Sequence, residues 1–570
     1  MVWRADAPQM HESMKMLWEL VPYTKGLGLD LGCGPSKTFP HFIGVDNRKD
    51  TQMFGIQMNP DLTVPTCETL PFFASEQWDF VFSSHLLEHI EDHSAALKEW
   101  WRLIKVGGHL CLYLPHKKYY PNIGQPGANK DHKHDFMPVD ITAVMQKLGD
   151  WDLLRSEDRN EGEEYSFFQV FKKLPAGGGQ LYSHKKPKPK KTCGVVRYGA
   201  WGDALQMSSV LPELKKQGYH ITLYTTDRCR EVIQNDPNID AWIVQDHEQV
   251  PNAALRPFWD WEQKKYDKWV NLSESIEANV LALDDRTEGR WPKSVREKYM
   301  NTNYWEFTHD IAEVPYEKPL TRFYATLEEK NWAFEERKRL GGDLCILWVL
   351  NGSSVHKVWP HLDQIFARLL LTFPGVRIAT IGDLNTCTVL DEPWKNEARI
   401  HRMAGKWSIR QTLALADIAD VVVGPETGVM SSVCVQPMPK IVFLSHSSHE
   451  NLTRDWVNTY ALFSTKTSCY PCHKLHYSWA TCNQARDKNA YWDGAAQCQV
   501  DLPPEACWTA LMKALEPMLD AGRVEVADLD KLNEIKSHKR AVIPISSNAT
   551  PFALSSPKRT PISESLQYGR

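Results

Sequence analysis

No stretch of this sequence is apolar for long enough to span a bilayer, because its longest apolar runs are broken by groups such as Glu426 and Lys440. Met1 to Glu12 has no apolar run behind a basic start, which argues against a secretory leader. An excess of positive charge is missing too. Lys and Arg total 66 against 71 Asp and Glu, a formal charge of -5, so no global field draws phosphate polymers or anionic lipid. Nucleic acid is therefore unsupported as a partner. The thirteen cysteines are an odd number scattered along the chain, the usage of a reducing compartment and not of a disulfide scaffold. These absences point to a cytoplasmic protein without a membrane span. No internal repeat is visible.

What is present is ordinary globular composition, 42% hydrophobic and 24% charged. At 570 residues the chain exceeds one hydrophobic core, and about 100 to 200 residues per domain predicts three or four folding units. Between Lys172 and Lys191 runs KKLPAGGGQLYSHKKPKPKK, with three glycines, spaced prolines and a lysine run that read as a joint. The expected organisation is a first domain over 1–175, a flexible linker over 176–191, and two further halves over 192–335 and 336–523. A mobile tail rich in Ser, Pro, Lys and Arg follows over 524–570.

Short apolar runs alternate with helical patterns on both sides of the joint. Leu29 to Leu31, Phe42 to Val45, Asp79 to Ser83 and Leu110 to Leu114 read as strands; Leu97, Trp100, Trp101 and Ile104 fall on one helix face before Gly107-Gly108. After the joint, strands are predicted at Gly194 to Tyr198, Ile221 to Tyr224, Cys345 to Leu350, Val376 to Ile381, Val421 to Val423 and Ile441 to Leu444. A helix is marked by Ala204, Met207, Leu211 and Leu214. The class is α/β with parallel sheets, in three doubly wound units.

The segment LGLDLGCGPSK passes from a strand into a turn with Gly32 and Gly34, and FIGVD ends a second strand on Asp46. Glycine lets backbone approach a ligand, and an acid at a strand end accepts both hydroxyls of a ribose. A nucleoside cofactor is implied. The dinucleotide fingerprint lacks its third glycine, Ser36 standing near that place. The continuation ETLPFFASEQWDFVFSSHLLEHIEDHSAALKEWWRLIKVGGHLCLYLP closely resembles the class I S-adenosylmethionine-dependent methyltransferases, over roughly residues 26–116. That resemblance implies a Rossmann-like domain binding S-adenosylmethionine, with Gly32 and Gly34 at the methionine part, Asp30 reaching its amino group through the turn, and Asp46 on the ribose.

Two departures stand out. Only Pro35 to Pro40 separate the turn from the second strand, leaving little room for a first helix, and Cys67-Glu68 occupies the usual place of an adenine-contacting acid. His116, His132, His134 and Asp135 follow the strand where acceptor loops sit and are candidates for a base, with solvated loop residues as the simpler reading. His85 and His89 fit capping or core roles equally well. The His132-Lys133-His134 spacing suggests metal, without a further ligand evident in the sequence.

After the joint comes CGVVRYGAWGDALQMSSVLPELKKQG, where Asp203 opens a helix. An N-cap is the ordinary role for such an Asp. The loop also resembles the "R.GA.GD.L" element of family 9 (heptosyltransferase-like) glycosyltransferases, which implies that Asp203 is the general base deprotonating the acceptor hydroxyl. NGSSVHKVWPH at 351–361 resembles the family's "G.S...K.WP" element, and IRQTLALADIADVVVGPETGVMSSV its helix, strand and "DTG.MH" loop. The resemblance implies a GT-B glycosyltransferase of two Rossmann-like halves whose donor site uses Ser353, Ser354, Lys357, Glu426, Thr427 and Gly428. Glu426 stands where the family has Asp and Ser431 where it has His, so heptose specificity does not carry over.

Cys469, Cys472, Cys482 and Cys498 begin with a CxxC pair and are zinc candidates; reduced structural thiols are the preferred reading. The sequence thus leads to a bifunctional glycan-modifying enzyme. It would combine metal-independent, inverting transfer from a nucleotide-sugar co-substrate to a glycan or glycolipid acceptor with methyl transfer from S-adenosylmethionine. The alternatives are modification of a nucleic-acid base by methyl and sugar groups, for which only the lysine-rich joint speaks, and a binding or scaffolding protein with one degenerate domain.

Overall fold

The computed structural model describes residues 12–48, 52–53, 56–58, 60–187, 189–246, 249–274, 292–316, 321–353, 357–474, 482, 495–527 and 546–547. By packing, the chain forms two units: Met1–Thr192 together with Ile243–Lys268, and Cys193–Trp242 together with Trp269–Arg570. Both are α/β.

The first unit is built on β1 (Gly28–Leu31), β2 (Ile43–Asp46), a small hairpin of β3 (Gln52–Met53) and β4 (Ile56–Gln57), β5 (Leu62–Thr63), β6 (Trp78–Ser84) and β7 (Ile104–Pro115). It continues with β8 (Trp151–Arg159), β9 (Ser166–Lys173) and β10 (Gln180–Leu181). Apart from the hairpin, these strands form one sheet in the order β10-β8-β9-β7-β6-β1-β2-β5. Pairing is parallel except for β9, which is antiparallel to both β7 and β8. All four residues of β1 are buried, as a parallel strand covered on both faces requires. The helix His93–Leu103 is capped by Asp92, whose carboxylate accepts the Ala95 N–H at 3.0 Å, and it buries Leu97, Trp100 and Trp101. Ile104, expected on that helix, instead begins β7. As the sequence predicts, no helix forms between β1 and β2.

The segment expected to be a flexible linker is part of this unit as far as Lys185. The N–H groups of Gly177 and Gly179 donate to the Asp150 carboxylate at 2.8 and 3.0 Å, β10 pairs with β8, and Ser183 Oγ donates to Asp152 at 2.7 Å. The glycines, at φ of +87° and +71°, allow the chain to wrap Asp150. The stretch Ile243–Lys268 also belongs here, although the sequence places it inside a continuous half over 192–335. Asp246 accepts the Gly26 N–H at 2.5 Å, Gln249 donates to the Val21 carbonyl at 2.9 Å, and Phe258 lies 5.8 Å from Trp18 between ring centroids.

Two further sheets follow, built mainly from the second unit, with Thr192, Ile243–Gln245 and Lys268 of their strands counted in the first. β11 (Thr192–Val196), β12 (His220–Thr226), β13 (Ala241–Gln245) and β14 (Lys268–Asn271) are ordered β13-β12-β11-β14. β15 (Leu344–Val349), β16 (Val376–Ile381), β17 (Ile400–Arg402), β18 (Val421–Pro425), β19 (Lys440–Phe443), β20 (Thr459–Leu462) and β21 (Ser546–Ser547) are ordered β17-β16-β15-β18-β19-β20-β21. The seven are parallel but for β21. Within the expected tail, Glu525 and Ala527 N–H groups are held by Asp343 and the Thr372 carbonyl; 528–545 and 548–570 lie outside the described residues. No helix among the described residues is long and apolar enough to cross a membrane.

Candidate functional site

In the first unit β1 lies between β2 and β6, so the sheet reverses its winding there and opens a crevice beyond the strand ends. The turn after β1 is pinned to β2: Gly32 N–H donates to the Val45 carbonyl at 2.8 Å, and Gly34 N–H donates to Asp46 Oδ2 at 3.1 Å. Both glycines have positive φ, +71° and +59°. A Cβ on Gly32 would press on Leu86, whereas one on Gly34 would meet no heavy atom within 4 Å. Gly34 therefore faces open space beside a carboxylate. Asp46 is buried and also accepts the Arg48 N–H at 3.0 Å, which leaves lone pairs on both oxygens for further donors.

Asp30 is placed differently from Asp46. It is buried beneath the turn, where Oδ2 accepts both the N–H and the hydroxyl of Thr38, at 3.0 and 3.1 Å. Burial pushes its carboxyl up to about 6 despite those two bonds. Its described contacts support the loop. Of the adenine-side pair, Cys67 is buried with its carbonyl bonded by Trp100, and Glu68 accepts the Glu91 N–H at 3.3 Å.

The structure separates the histidine candidates. His116 is buried and accepts the Lys118 N–H, His134 contacts the Glu91 carbonyl at 3.1 Å, and Asp135 accepts the Ile123 N–H at 3.1 Å. These three brace their loop. His85, His89 and His132 instead converge on Glu88, a fully buried carboxylate immediately after β6. Glu88 has no periodic or compositional signature in the sequence beyond its place in the LEH segment.

In the second unit Asp203 is the third residue of the helix Trp201–Met207, not its N-cap, which is Ala200. Its Oδ2 accepts the Ala200 N–H at 2.7 Å and its Oδ1 pairs with the buried Arg197 guanidinium at 2.9 Å. Arg197 also donates to the Leu272 carbonyl at 3.0 Å, tying β11 to β14. The wrap requires Gly199, at φ +137°, where any Cβ would lie 2.4 Å from the Asp203 carboxylate. Next to Asp203, Gly202 meets Gly428. A Cβ on Gly428 would stand 2.9 Å from Trp201 Cβ and 3.0 Å from the Gly202 nitrogen. Two loops more than 200 residues apart in sequence are thereby brought together.

The donor candidates gather at the ends of β15 and β18, where the seven-stranded sheet reverses. A Cβ on Gly352 would hit the Lys357 side chain at 2.7 Å and Thr427 at 3.0 Å. Lys357 is buried, and its ammonium donates to the Glu426 carbonyl at 2.6 Å. Thr427 is the N-cap of the short helix Gly428–Ser432, makes no capping bond, and has a buried hydroxyl oxygen without a hydrogen-bond partner. Ser353 is exposed; Ser354 lies outside the described residues.

Glu426 faces its own sheet: Oε1 accepts the N–H groups of Ser445 and His446 at 2.5 and 3.2 Å, and Oε2 pairs with His446. Burial would raise its carboxyl, but His446, Lys357 and the Ser445 N–H hold it below the usual carboxylate range. Two further groups border the loops, Arg228 over the Trp201 ring at 4.8 Å and Arg230, both lining an open hollow with Trp201.

Cys469, Cys472, Cys482 and Cys498 are free thiols, and burial together with the neighbouring sulfurs disfavours ionisation of Cys469, Cys472 and Cys498. Burial, aided by these neighbours, pushes Cys472 up to about 12. Among the described residues these sulfurs are not part of a set of three ligand atoms within 4.8 Å of one another.

Sheet order and glycine turn give the first unit a Rossmann-like arrangement. Residues 29–112 match the methyltransferase domain family, so this unit carries a methyltransferase domain and the chain is a transferase. No curated protein matches the chain. The solved structures similar to it include a glycosyl transferase family 9 protein from Veillonella parvula, at 17% identity over 48% of this chain and 86% of that one, with a TM-score of 0.38. Another is the ADP-heptose lps heptosyltransferase II of E. coli, at 14% identity over 57% and 99%, TM-score 0.40. A third is an S-adenosylmethionine-dependent methyltransferase from Aquifex aeolicus, at 14% over 29% and 93%, TM-score 0.22.

Proposed function

We propose that the chain is a bifunctional, cytoplasmic glycan-modifying enzyme. The first unit transfers methyl from S-adenosylmethionine, and the second, with the two-half GT-B arrangement, transfers a sugar from a nucleotide-sugar donor to a glycan or glycolipid acceptor. The observation that carries the reading is the apposition of Gly202 and Gly428, which sets the Asp203 helix against the Thr427-Gly428 turn. A base and a diphosphate cradle are needed within one cleft for direct displacement at an anomeric carbon.

In that cleft Asp203 takes the acceptor hydroxyl proton as the oxygen attacks and the bond to the diphosphate breaks, inverting the centre. Arg197, paired with its Oδ1, holds the Asp203 carboxylate in place. Lys357, Ser353, Ser354, the Thr427 hydroxyl and the Gly428 N–H meet the departing diphosphate, where preorganised donors stabilise developing charge without a metal. Glu426 acts at one remove, holding the 445–447 loop and, through its carbonyl, the Lys357 ammonium. In the first unit Gly32, Gly34 and Asp46 would hold S-adenosylmethionine, which supplies an electrophilic methyl group, with Asp30 supporting the turn. Free thiols throughout the chain suit the cytoplasm.

The test is Asp203→Asn with a donor identified by thermal shift against a panel of nucleotide sugars. Asn keeps the Ala200 hydrogen bond but cannot accept a proton, so turnover should fall by about 10² to 10⁴ while donor binding holds. Because Arg197 loses its countercharge, a lower melting point is expected as well, and turnover is compared well below it. Retained turnover, or no response to any nucleotide sugar, would overturn the reading.

A further inference from the structure

Glu88 lies in the single turn Leu87–His89 that follows β6, and none of its side chain is exposed. Neither carboxylate oxygen has a hydrogen-bond partner. A buried carboxylate left this way loses its hydration without replacement unless an ion or water meets it. What surrounds it is imidazole. His85 Nδ1 stands 3.8 Å from Glu88 Oε1, His132 Nε2 3.9 Å and His89 Nε2 4.0 Å, all beyond hydrogen-bonding distance.

The three rings are fixed from outside. His85 Nε2 is bonded to Ser166 Oγ at 2.9 Å, the His89 ring is hydrogen-bonded to the Asp131 main chain, and His132 packs edge-on against His89 at 4.8 Å. The Lys133 and His134 N–H groups donate to the Glu88 carbonyl at 2.7 and 3.2 Å, clamping the loop that carries His132 onto the turn that carries Glu88. Ligand atoms of Glu88, His89 and His132 all lie within 4.8 Å of one another.

We propose that Glu88, His89 and His132, with His85 as a fourth donor, form a binding site for one divalent transition-metal ion. With bonds of roughly 2.0 to 2.1 Å, donor atoms on a tetrahedral ion stand about 3.4 Å apart, so the three Glu88–histidine separations need to close by only about half an ångström. One carboxylate and two or three imidazoles select a borderline ion such as zinc, cobalt or ferrous iron over calcium or magnesium, which prefer oxygen donors. Ser166 and the Asp131 main chain supply the outer hydrogen bonds that orient ligating histidines.

The site adjoins the candidate cofactor turn, since Leu86, two residues before Glu88, is the side chain a Cβ on Gly32 would touch. There the ion would act as a Lewis acid on the methyl acceptor; that role rests on the methyl-transfer reading, whereas binding of the ion does not.

Full-length protein stripped with chelator is titrated with Co²⁺, without S-adenosylmethionine, by calorimetry and visible absorption. The parent should bind one equivalent with a d–d band, and Glu88→Gln and His132→Ala should each weaken it by more than the roughly 10- to 100-fold cost of losing an outer partner. A Cys472→Ser, Cys498→Ser double variant should retain this equivalent. Circular dichroism checks folding, and if Glu88→Gln does not fold, His132→Ala decides. No uptake by the parent, undiminished uptake by the folded variants, or a thiolate charge-transfer band as the sole signal would overturn the site. Methyl transfer that proceeds unchanged in metal-free protein would remove only the Lewis-acid role.

Discussion

Asp46 and Asp30 are both buried acids at strand positions flanking one glycine turn, yet they differ in what they have left to offer. Asp46 keeps lone pairs beside open space at Gly34, so Asp46→Ala should lower S-adenosylmethionine affinity about tenfold to a hundredfold, the worth of a charged hydrogen bond. Calorimetry showing equal affinity would remove Asp46 from the site. Asp30 offers a pH dependence. Its folded carboxyl sits at about 6 against an ordinary 3.8, so it holds its proton more tightly when folded. The stability this contributes is full below about pH 3.8 and is lost as the pH rises through about 6. Asp30→Asn does not titrate there. Relative to the variant, the parent should lose up to about 3 kcal/mol over that interval, read from hydrogen exchange in β1 and β6 at pH 4 and pH 7. A difference that is flat or grows the other way would show that Asp30 is not a buried acid. The position of Asp46 was legible because a strand end and a glycine turn are local patterns. That Asp30 points to Thr38, and that Glu88 is unpartnered, depends on burial, which no spacing encodes.

At the scale of elements, apolar runs located β1, β2, β6, β7, β11, β12, β15, β16, β18 and β19, because a strand covered on both faces must be continuously apolar, but gave no sign of the parallel strands β5, β17 and β20. The pattern failed for β8, WDLLRSEDR, of which only Trp151 and Leu153 are fully buried. It also joined what the chain divides: the run from Ala204 to Leu214 is two helices, Trp201–Met207 and Leu211–Lys216, linked by a 3-10 turn at Ser208–Val210. The first of these packs by its Gly202 against Gly428, and the two glycines differ in their room. A Cβ on Gly202 would meet Gly428 Cα and Ser431 Oγ at 3.4 and 3.5 Å, ordinary contact, whereas one on Gly428 meets Trp201 Cβ at 2.9 Å. Gly428→Ala should therefore force the helices apart at a cost of about 1 to 3 kcal/mol and weaken donor binding, while Gly202→Ala is better tolerated. Melting curves of the two variants check the order, and equal melting points would mean that the helix contact yields without cost.

At the scale of the whole molecule, the prolines and lysines up to Lys191 mark the expected joint over 176–191, but the course of the chain beyond it was not legible. Nothing in its composition marks Ile243–Lys268 as packing with residues before 193, because the apolar face of its helix would suit either unit. That helix, Leu255–Glu262, buries Leu255, Phe258 and Trp259, each worth roughly 1.5 to 3 kcal/mol, and its flank holds Val21 and Gly26 through Gln249 and Asp246. Cutting the joint should therefore not free the first unit. With a protease site inserted at Lys190, cleavage should yield two pieces that still elute together by size exclusion, held by a segment that belongs to one piece in sequence and to the other in packing. A fragment of residues 1–191 expressed alone should expose Trp18 and melt lower than the first unit of the intact chain. Adding a peptide of residues 243–268 should raise its melting point by mass action. Pieces that separate cleanly on cleavage, each melting as in the parent, would show that the returning segment contributes nothing to the first unit.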